Sequence, residues 1–308
     1  MFVMALKNGE RKMNQFVPKL FDCMKSYTKE QFVKDVVSGI IVAIIALPLS
    51  IALALASGVG PEQGIYTAIF AGFVISFLGG SNVQIAGPTA AFATIVAGIV
   101  AKNGMSGLAA ATIMAGILLI IMGFLKLGNL IRFIPYTITT GFTFGIAVTI
   151  LVGQIKDFLG LTFTNSPIDT VDKVKECINC IGTFNYQALI VGVVALAILI
   201  IFPKITEKIP PSLIAVIVTI VMVKMLKMDV KTIGDLYTIS NKLPSVSLPS
   251  INFTMIRELF PDALTIAVLA GIESLLSCVV ADGMVGSRHK PNMELVAQGA
   301  GNVVSALF

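Results

Sequence analysis

Apolar and polar residues fall along this chain in long alternating blocks. From Val36 onward, apolar stretches recur that are long enough, or nearly so, to cross the ~30 Å hydrocarbon core of a bilayer as helices. The pattern predicts nine spans, at 36–56, 61–79, 83–100, 107–125, 133–154, 186–202, 211–226, 261–281 and 293–308. The segments between them are short except 155–185 and 227–260, which have room for short interfacial helices. Within the second, 243–250 carries Pro244 and Pro249 and reads as an extended linker. Backbone polar groups in lipid must be satisfied within each helix. The predicted fold is therefore an all-α polytopic membrane protein, with a 1–35 N-terminal segment ahead of a 36–308 transmembrane domain.

Composition sharpens what is excluded. With 56% hydrophobic and 13% charged residues and a mean hydropathy of +0.92, a water-soluble enzyme domain is ruled out, because most of its apolar surface would face water. The net charge of +5 does not mark a nucleic-acid partner, since the basic residues are spread between spans and form no aromatic-interleaved stripe. Instead, Lys7, Arg11, Lys12, Lys19, Lys25, Lys29 and Lys34 crowd into 1–35. That positive-inside signature places the N-terminus in the cytoplasm.

Ala54-Leu55-Ala56 resembles a signal-peptidase site, but the long charged lead and Pro48 inside the run argue for a retained first helix. Cys177 and Cys180 form a Cys-x-x-Cys pair in the outer loop. Cys23, Cys278 and His289 cannot complete a zinc site on that face, and a disulfide needs an oxidising compartment, so the pair reads as incidental loop cysteines. His289, in the basic turn Ser287-Arg288-His289-Lys290, reads as an orientation signal. No HExxH, phosphate loop, dinucleotide turn or Ser/His/Asp set occurs, so neither enzyme activity nor a cofactor is expected.

An internal repeat orders the spans. Ala71–Leu78 matches Ala300–Leu307 with five identities in eight at an offset of 229; Asp35 and Asp262 agree at 227, and Gly60 and Gly286 at 226. The unit holds seven spans, an odd number, so the second copy enters from the opposite side. Inverted repeats of this kind build secondary transporters. The first repeat is then 36–226 and the second begins at 261–308, so the 308 residues read as a truncation, about five spans short of a second copy.

Two features carry candidate chemistry. Glu273 is the one acid read as lying deep inside an apolar span, where an uncompensated charge costs at least ~2.5–3.5 kcal/mol. It shares a helical face with Ser277, and as an ion-coupling residue it would bind H+ or Na+; the alternative is a carboxyl that packs helices by hydrogen bonding. The second feature is the polar opening of the third span, Ser81–Ala91. An extended approach and a half-helix starting near Pro88 would aim the N–H groups of Thr89, Ala90 and Ala91, with the positive end of the helix dipole, into the bundle. Such a terminus binds anions; a proline kink in a continuous helix is the alternative. Pro48, followed by Ser50, either frees carbonyls toward the same cavity or bends the first span.

Taken together, these segments resemble the SulP family of inorganic anion transporters, bacterial relatives of the animal sulfate and chloride/bicarbonate exchangers. The matching residues are Gly58-Val-Gly-Pro-Glu-Gln-Gly-Ile-Tyr66, Gly79-Gly-Ser-Asn-Val-Gln-Ile-Ala-Gly-Pro-Thr89, Ile272-Glu-Ser-Leu-Leu-Ser277, Ala281-Asp-Gly-Met284, Arg288 and Glu294-Leu-Val-Ala-Gln298. The resemblance implies fourteen spans in two inverted halves, a core domain sliding like an elevator against a gate, and an anion held between the N-termini of the third and tenth spans. By match, Gly87, Pro88, Thr89, Ala90 and Ala91 form one arm, Pro48, Leu49 and Ser50 a side wall, and Glu273 with Ser277 the coupling position. On this reading the tenth-span arm and the C-terminal STAS domain usual in the family are expected to be missing from the 308 residues. Leu49 stands where many sulfate-transporting members carry Gln, which leaves bicarbonate, chloride or a carboxylate open beside sulfate.

The expected partners are the lipid bilayer, a small inorganic anion and a second copy in a homodimer. The expected location is the bacterial inner membrane. A non-transporting truncated membrane protein, or a nucleobase permease of the same fold, are the competing readings.

Overall fold

The computed structural model describes residues 16–133, 136–165, 167–206, 209–239, 244–249 and 252–308. Lys7, Arg11 and Lys12 lie outside the described residues, as do 243 and 250 of the linker. Among the described residues every regular element is helical. In chain order these are α1 (Lys19–Cys23), α2 (Lys29–Ala56), α3 (Pro61–Leu78), α4 (Ala93–Phe124), α5 (Tyr136–Phe158), α6 (Thr170–Asn179), α7 (Tyr186–Ile201), α8 (Pro211–Met225), α9 (Ile233–Leu236), α10 (Phe253–Val285) and α11 (Pro291–Ser305).

Among the described residues, five helical segments are long and apolar enough to cross a membrane: α2, Ala90–Phe124, Thr140–Phe158, Tyr186–Lys204 and α10; α8 is a shorter apolar helix. Each of the two long loops holds a short helix, α6 in 155–185 and α9 in 227–260. The linker residues 244–249 are without regular structure, and Ser247 N–H donates to the Leu307 carbonyl.

Local chemistry sets the ends of these helices. Thr28 and Gln31 close a capping box at the start of α2. Pro61 and Pro291 occupy the first turns of α3 and α11, where a missing N–H is no loss. Spans 83–100 and 107–125 merge into α4, broken at Gly104, whose φ of 66° and ψ of −170° only glycine adopts without strain. Helix α10 begins eight residues before the predicted 261, capped by the Asn252 side chain on Met255 N–H at 2.7 Å. Arg257 and Glu258 hid that first stretch from a hydropathy reading, and Pro261 sits inside the helix instead of opening it.

The core lies between α4, α10 and α11. Ala110, Ala111, Ala115 and Leu119 of α4 pack against Leu259, Ala263, Ile266 and Ala267 of α10 and Leu295 of α11. The α4 and α11 backbones meet at Gly116 and Gly299: a Cβ on either would come within 2.6 Å or 2.4 Å of the other's carbonyl oxygen. Such close approach through small residues is how membrane helices gain packing without a hydrophobic drive. By contrast, α7 and α8 pair with each other and bury only Ala188 and Ala215, leaving Val193, Leu196, Ile217 and Ile220 exposed as an outward apolar surface.

The N-terminal segment straps across one end of this core. Lys19 N–H donates to the Gly79 carbonyl at 2.9 Å, Lys19 Nζ to the Arg288 carbonyl at 2.9 Å, and Lys290 Nζ to Asp22 Oδ2 at 2.6 Å and the Val17 carbonyl at 2.9 Å. Lys290, only 2% exposed, is thus a buried cation with its partner supplied by the strap. Its hydrogen bond holds the Asp22 carboxyl below its ordinary pKa.

Candidate functional site

A cavity of about 930 Å³ opens between α2, α3, α4, α10 and α11. One wall is the segment before α4. Gln84–Thr89 is not helical, Thr89 is extended (φ −131°, ψ 146°), a 3-10 turn spans Ala90–Phe92, and α4 follows from Ala93. Gly87-Pro88 stops any continuous helix here, since proline disfavours helical geometry in the residue before it. The helical terminus therefore starts at Ala90, two residues after Pro88, rather than at Pro88 itself.

Of the residues singled out by sequence, Gly87, Pro88, Thr89, Glu273 and Ser277 line the cavity. Thr89 Oγ1 donates to Glu273 Oε1 at 2.6 Å and accepts from Ala91 N–H at 3.4 Å, so one hydroxyl links the acid to the helix terminus. Ser277 Oγ donates to the Glu273 carbonyl at 3.0 Å, not to its carboxylate. Ala90 and Ala91 do not line the cavity, whereas Phe92, the last residue of the turn, does.

The first-span residues sit elsewhere. Helix α2 runs unbroken through Pro48, Leu49 points outward at 53% exposure, and Ser50 is buried where its carbonyl meets Gly64 of α3 so closely that a Cβ would come within 2.2 Å. The cavity is reached one turn later, by Leu53, Ala54 and Ser57. Leu49 in place of a polar residue therefore leaves the wall of this cavity unchanged.

Sequence reasoning placed Glu273 deep inside an apolar span and passed over a second buried acid, Glu294, which lies in the first turn of α11 and is 0% exposed. Its carboxylate accepts from Gly80 N–H at 2.9 Å, Ser274 Oγ at 3.2 Å and Gln298 Nε2 at 3.2 Å. Gln298 also donates to Ser274 Oγ at 2.9 Å, and Cys278 Sγ to Gln84 Oε1 at 3.4 Å. The available signal was the four-residue spacing of Glu294 and Gln298, which puts both on one helical face. His289 is half-buried in its turn: Asp282 Oδ2 lies 2.7 Å from its Nδ1 and accepts from its backbone N–H at 2.9 Å, and Ser287 Oγ donates to Asp282 Oδ1.

Cys177 and Cys180 are unbridged and buried beside Glu176. That carboxyl is held below its usual range by the amides of Asn165 and Thr164, which pin the 162–165 loop to α6. No group of three metal-ligating side chains occurs among the described residues.

A model of the sulfate permease family matches residues 32–308. YvdB of Bacillus subtilis (strain 168), named for sulfate transport, is 42% identical over 286 residues, covering 92% of this chain and 54% of that protein. The bicarbonate transporter BicA of Picosynechococcus sp. is 32% identical over 285 residues, covering 89% and 50%. The chain thus spans about half the length of the curated relatives it matches. Among solved structures, the transmembrane domain of a cyanobacterial BicA superposes with a TM-score of 0.79 at 30% identity, over 92% of this chain and 74% of that one. The murine Slc26a9 anion transporter in its inward-facing state shares the fold at a TM-score of 0.80 and 17% identity, over 100% and 57%.

Proposed function

The chain belongs to the sulfate permease family, and we propose that it binds and carries a small inorganic anion, sulfate or bicarbonate or chloride, coupled to H+ or Na+. The anion sits at the Ala90–Phe92 turn, where first-turn N–H groups, of which Ala91 N–H is shared with Thr89 Oγ1, and the dipole of the following helix favour negative charge. The observation that carries this reading is the 2.6 Å hydrogen bond from Thr89 to Glu273. It places a carboxylate next to the anion's own pole. Two negative groups that close in a low-dielectric cavity repel strongly, so anion binding is favoured when a proton or cation neutralises Glu273. Ser277, on the next turn, is placed to help hold that cation.

The packing supports an elevator movement. Helices α4, α10 and α11 share one buried cluster, α3 and α11 a second, and this group carries the cavity, whereas α5, α7 and α8 bury little and would form the gate. The inverted repeat gains support from its helix ends: α2 and α10 are each followed by a left-handed glycine, Gly58 (φ 74°) and Gly286 (φ 67°), and α3 and α11 each open on proline. Nine spans with a cytoplasmic N-terminus, in a bacterial inner membrane and as a homodimer, complete the proposed arrangement.

Equilibrium binding of radiolabelled sulfate and bicarbonate to the chain in nanodiscs tests the coupling. Affinity is expected to rise as pH falls or sodium is added, and Glu273→Gln is expected to flatten that response while anion binding persists, because linkage is reciprocal. A Glu273→Gln protein that keeps the full pH and sodium response would refute the role of Glu273.

A further inference from the structure

The segment leaving α3 is tied at both ends, at Gly80 and at Thr89. Gly80 is held on both its polar groups: its N–H donates to Glu294 Oε2 at 2.9 Å and its carbonyl accepts from Lys290 N–H at 2.8 Å. A Cβ at Gly80 would fall within 2.2 Å of the Lys290 carbonyl, so this segment and the turn before α11 are in direct backbone contact. Nine residues later the same segment ends at Thr89, on Glu273. Between them, Gln84 Nε2 reaches Ser274 at 3.5 Å.

All three donors to Glu294 are neutral, and each comes from a different element: the Gly80 segment, Ser274 of α10 and Gln298 of α11. A fully buried carboxylate is costly unless its lone pairs are filled, and an amide at this position would turn an –NH2 toward one of those donors. Glu294 does not line the cavity, although its partners Ser274 and Gln298 do; its one hydrogen bond to the Gly80 segment ties it to the wall that ends at Thr89.

We propose that Glu294 is a positioning residue for the anion site: it fixes the register of the Gly80–Thr89 segment against α10 and α11, and so the height of the Ala90–Phe92 amides over Glu273. The proposal rests on the anion-binding reading above, but its structural half can be measured without it.

The test compares wild type, Glu294→Gln and Gln298→Ala in nanodiscs by two readouts: amide hydrogen exchange and the Kd for radiolabelled sulfate. Glu294→Gln is expected to accelerate exchange across 80–92 but not in the α4–α10 core, and to raise Kd about tenfold. The pH and sodium response of the remaining binding is expected to persist, because Glu273 is untouched. If Glu294→Gln does not reconstitute folded, Gln298→Ala removes one donor while keeping the carboxylate, and should show a smaller change at the same residues.

Unchanged exchange at 80–92, acceleration spread evenly through the core, or a wild-type Kd alongside loosened 80–92 would each overturn the proposal. Wild type that binds neither sulfate nor bicarbonate would instead refute the anion reading. The exchange comparison would then still decide whether Glu294 fixes the segment.

Discussion

Thr89 is the residue on which the site turns, since its hydroxyl donates to Glu273 while accepting from Ala91 N–H. Thr89→Val keeps the shape and removes both bonds. It is expected to weaken the pH and sodium dependence of anion affinity, read from Kd across a pH series. At the other end of the core, Gly299→Ala forces a methyl against the Gly116 carbonyl and is expected to cost about 1–3 kcal/mol, measured as a lowered melting temperature of the detergent-solubilised chain.

Asp22 supplies a pH prediction. Lys290 lowers its carboxyl pKa in the folded state, so the strap's stabilisation is present above the ordinary aspartate range and is lost as pH falls through the lowered value. Proteolysis within 16–27 is expected to be slow near neutrality and to rise only in acid. Asp22→Asn should show the fast rate at neutral pH.

Individual residues were unequally legible in the sequence. Glu273 stood out because a charge in a long apolar run has few explanations, and Gly87-Pro88 because it breaks helices. Glu294 was hidden by its place beside a polar turn, and two of its donors come from residues 214 and 20 positions away. Such partners are set by packing, not by local pattern. The first-span residues were hard to place for the same reason: Leu49 and Leu53 are one turn apart on one face of α2, and only their position along the helix leaves Leu49 exposed while Leu53 lines the cavity.

Among the elements, hydropathy located the long helices and missed their charged or polar ends. The early start of α10 depends on an asparagine cap, and the character of α11 on burial inside protein: Asn292, Glu294 and Gln298 face the core, where a lipid-facing helix would carry none of them. The join within α4 rests on one glycine. Gly104→Ala places a Cβ in a backbone conformation L residues avoid and is expected to cost about 1–3 kcal/mol, seen as a lowered melting temperature and faster exchange around 100–108. Open space around Gly104 means that loss would come from the backbone and not from a clash.

At the scale of the molecule, the chain divides into a tightly packed group that carries the cavity and a loosely packed apolar group, the division that an elevator needs. The membership of a transporter family and the shared fold with anion transporters fit that division. The central claim is that the cavity selects a small inorganic anion at a helix terminus. The most direct test is competition binding on the reconstituted chain: radiolabelled sulfate and bicarbonate against unlabelled inorganic anions and against uracil. The account predicts saturable binding of at least one labelled anion, displaced by inorganic anions and untouched by uracil. Displacement by uracil, or no saturable anion binding at all, would contradict it.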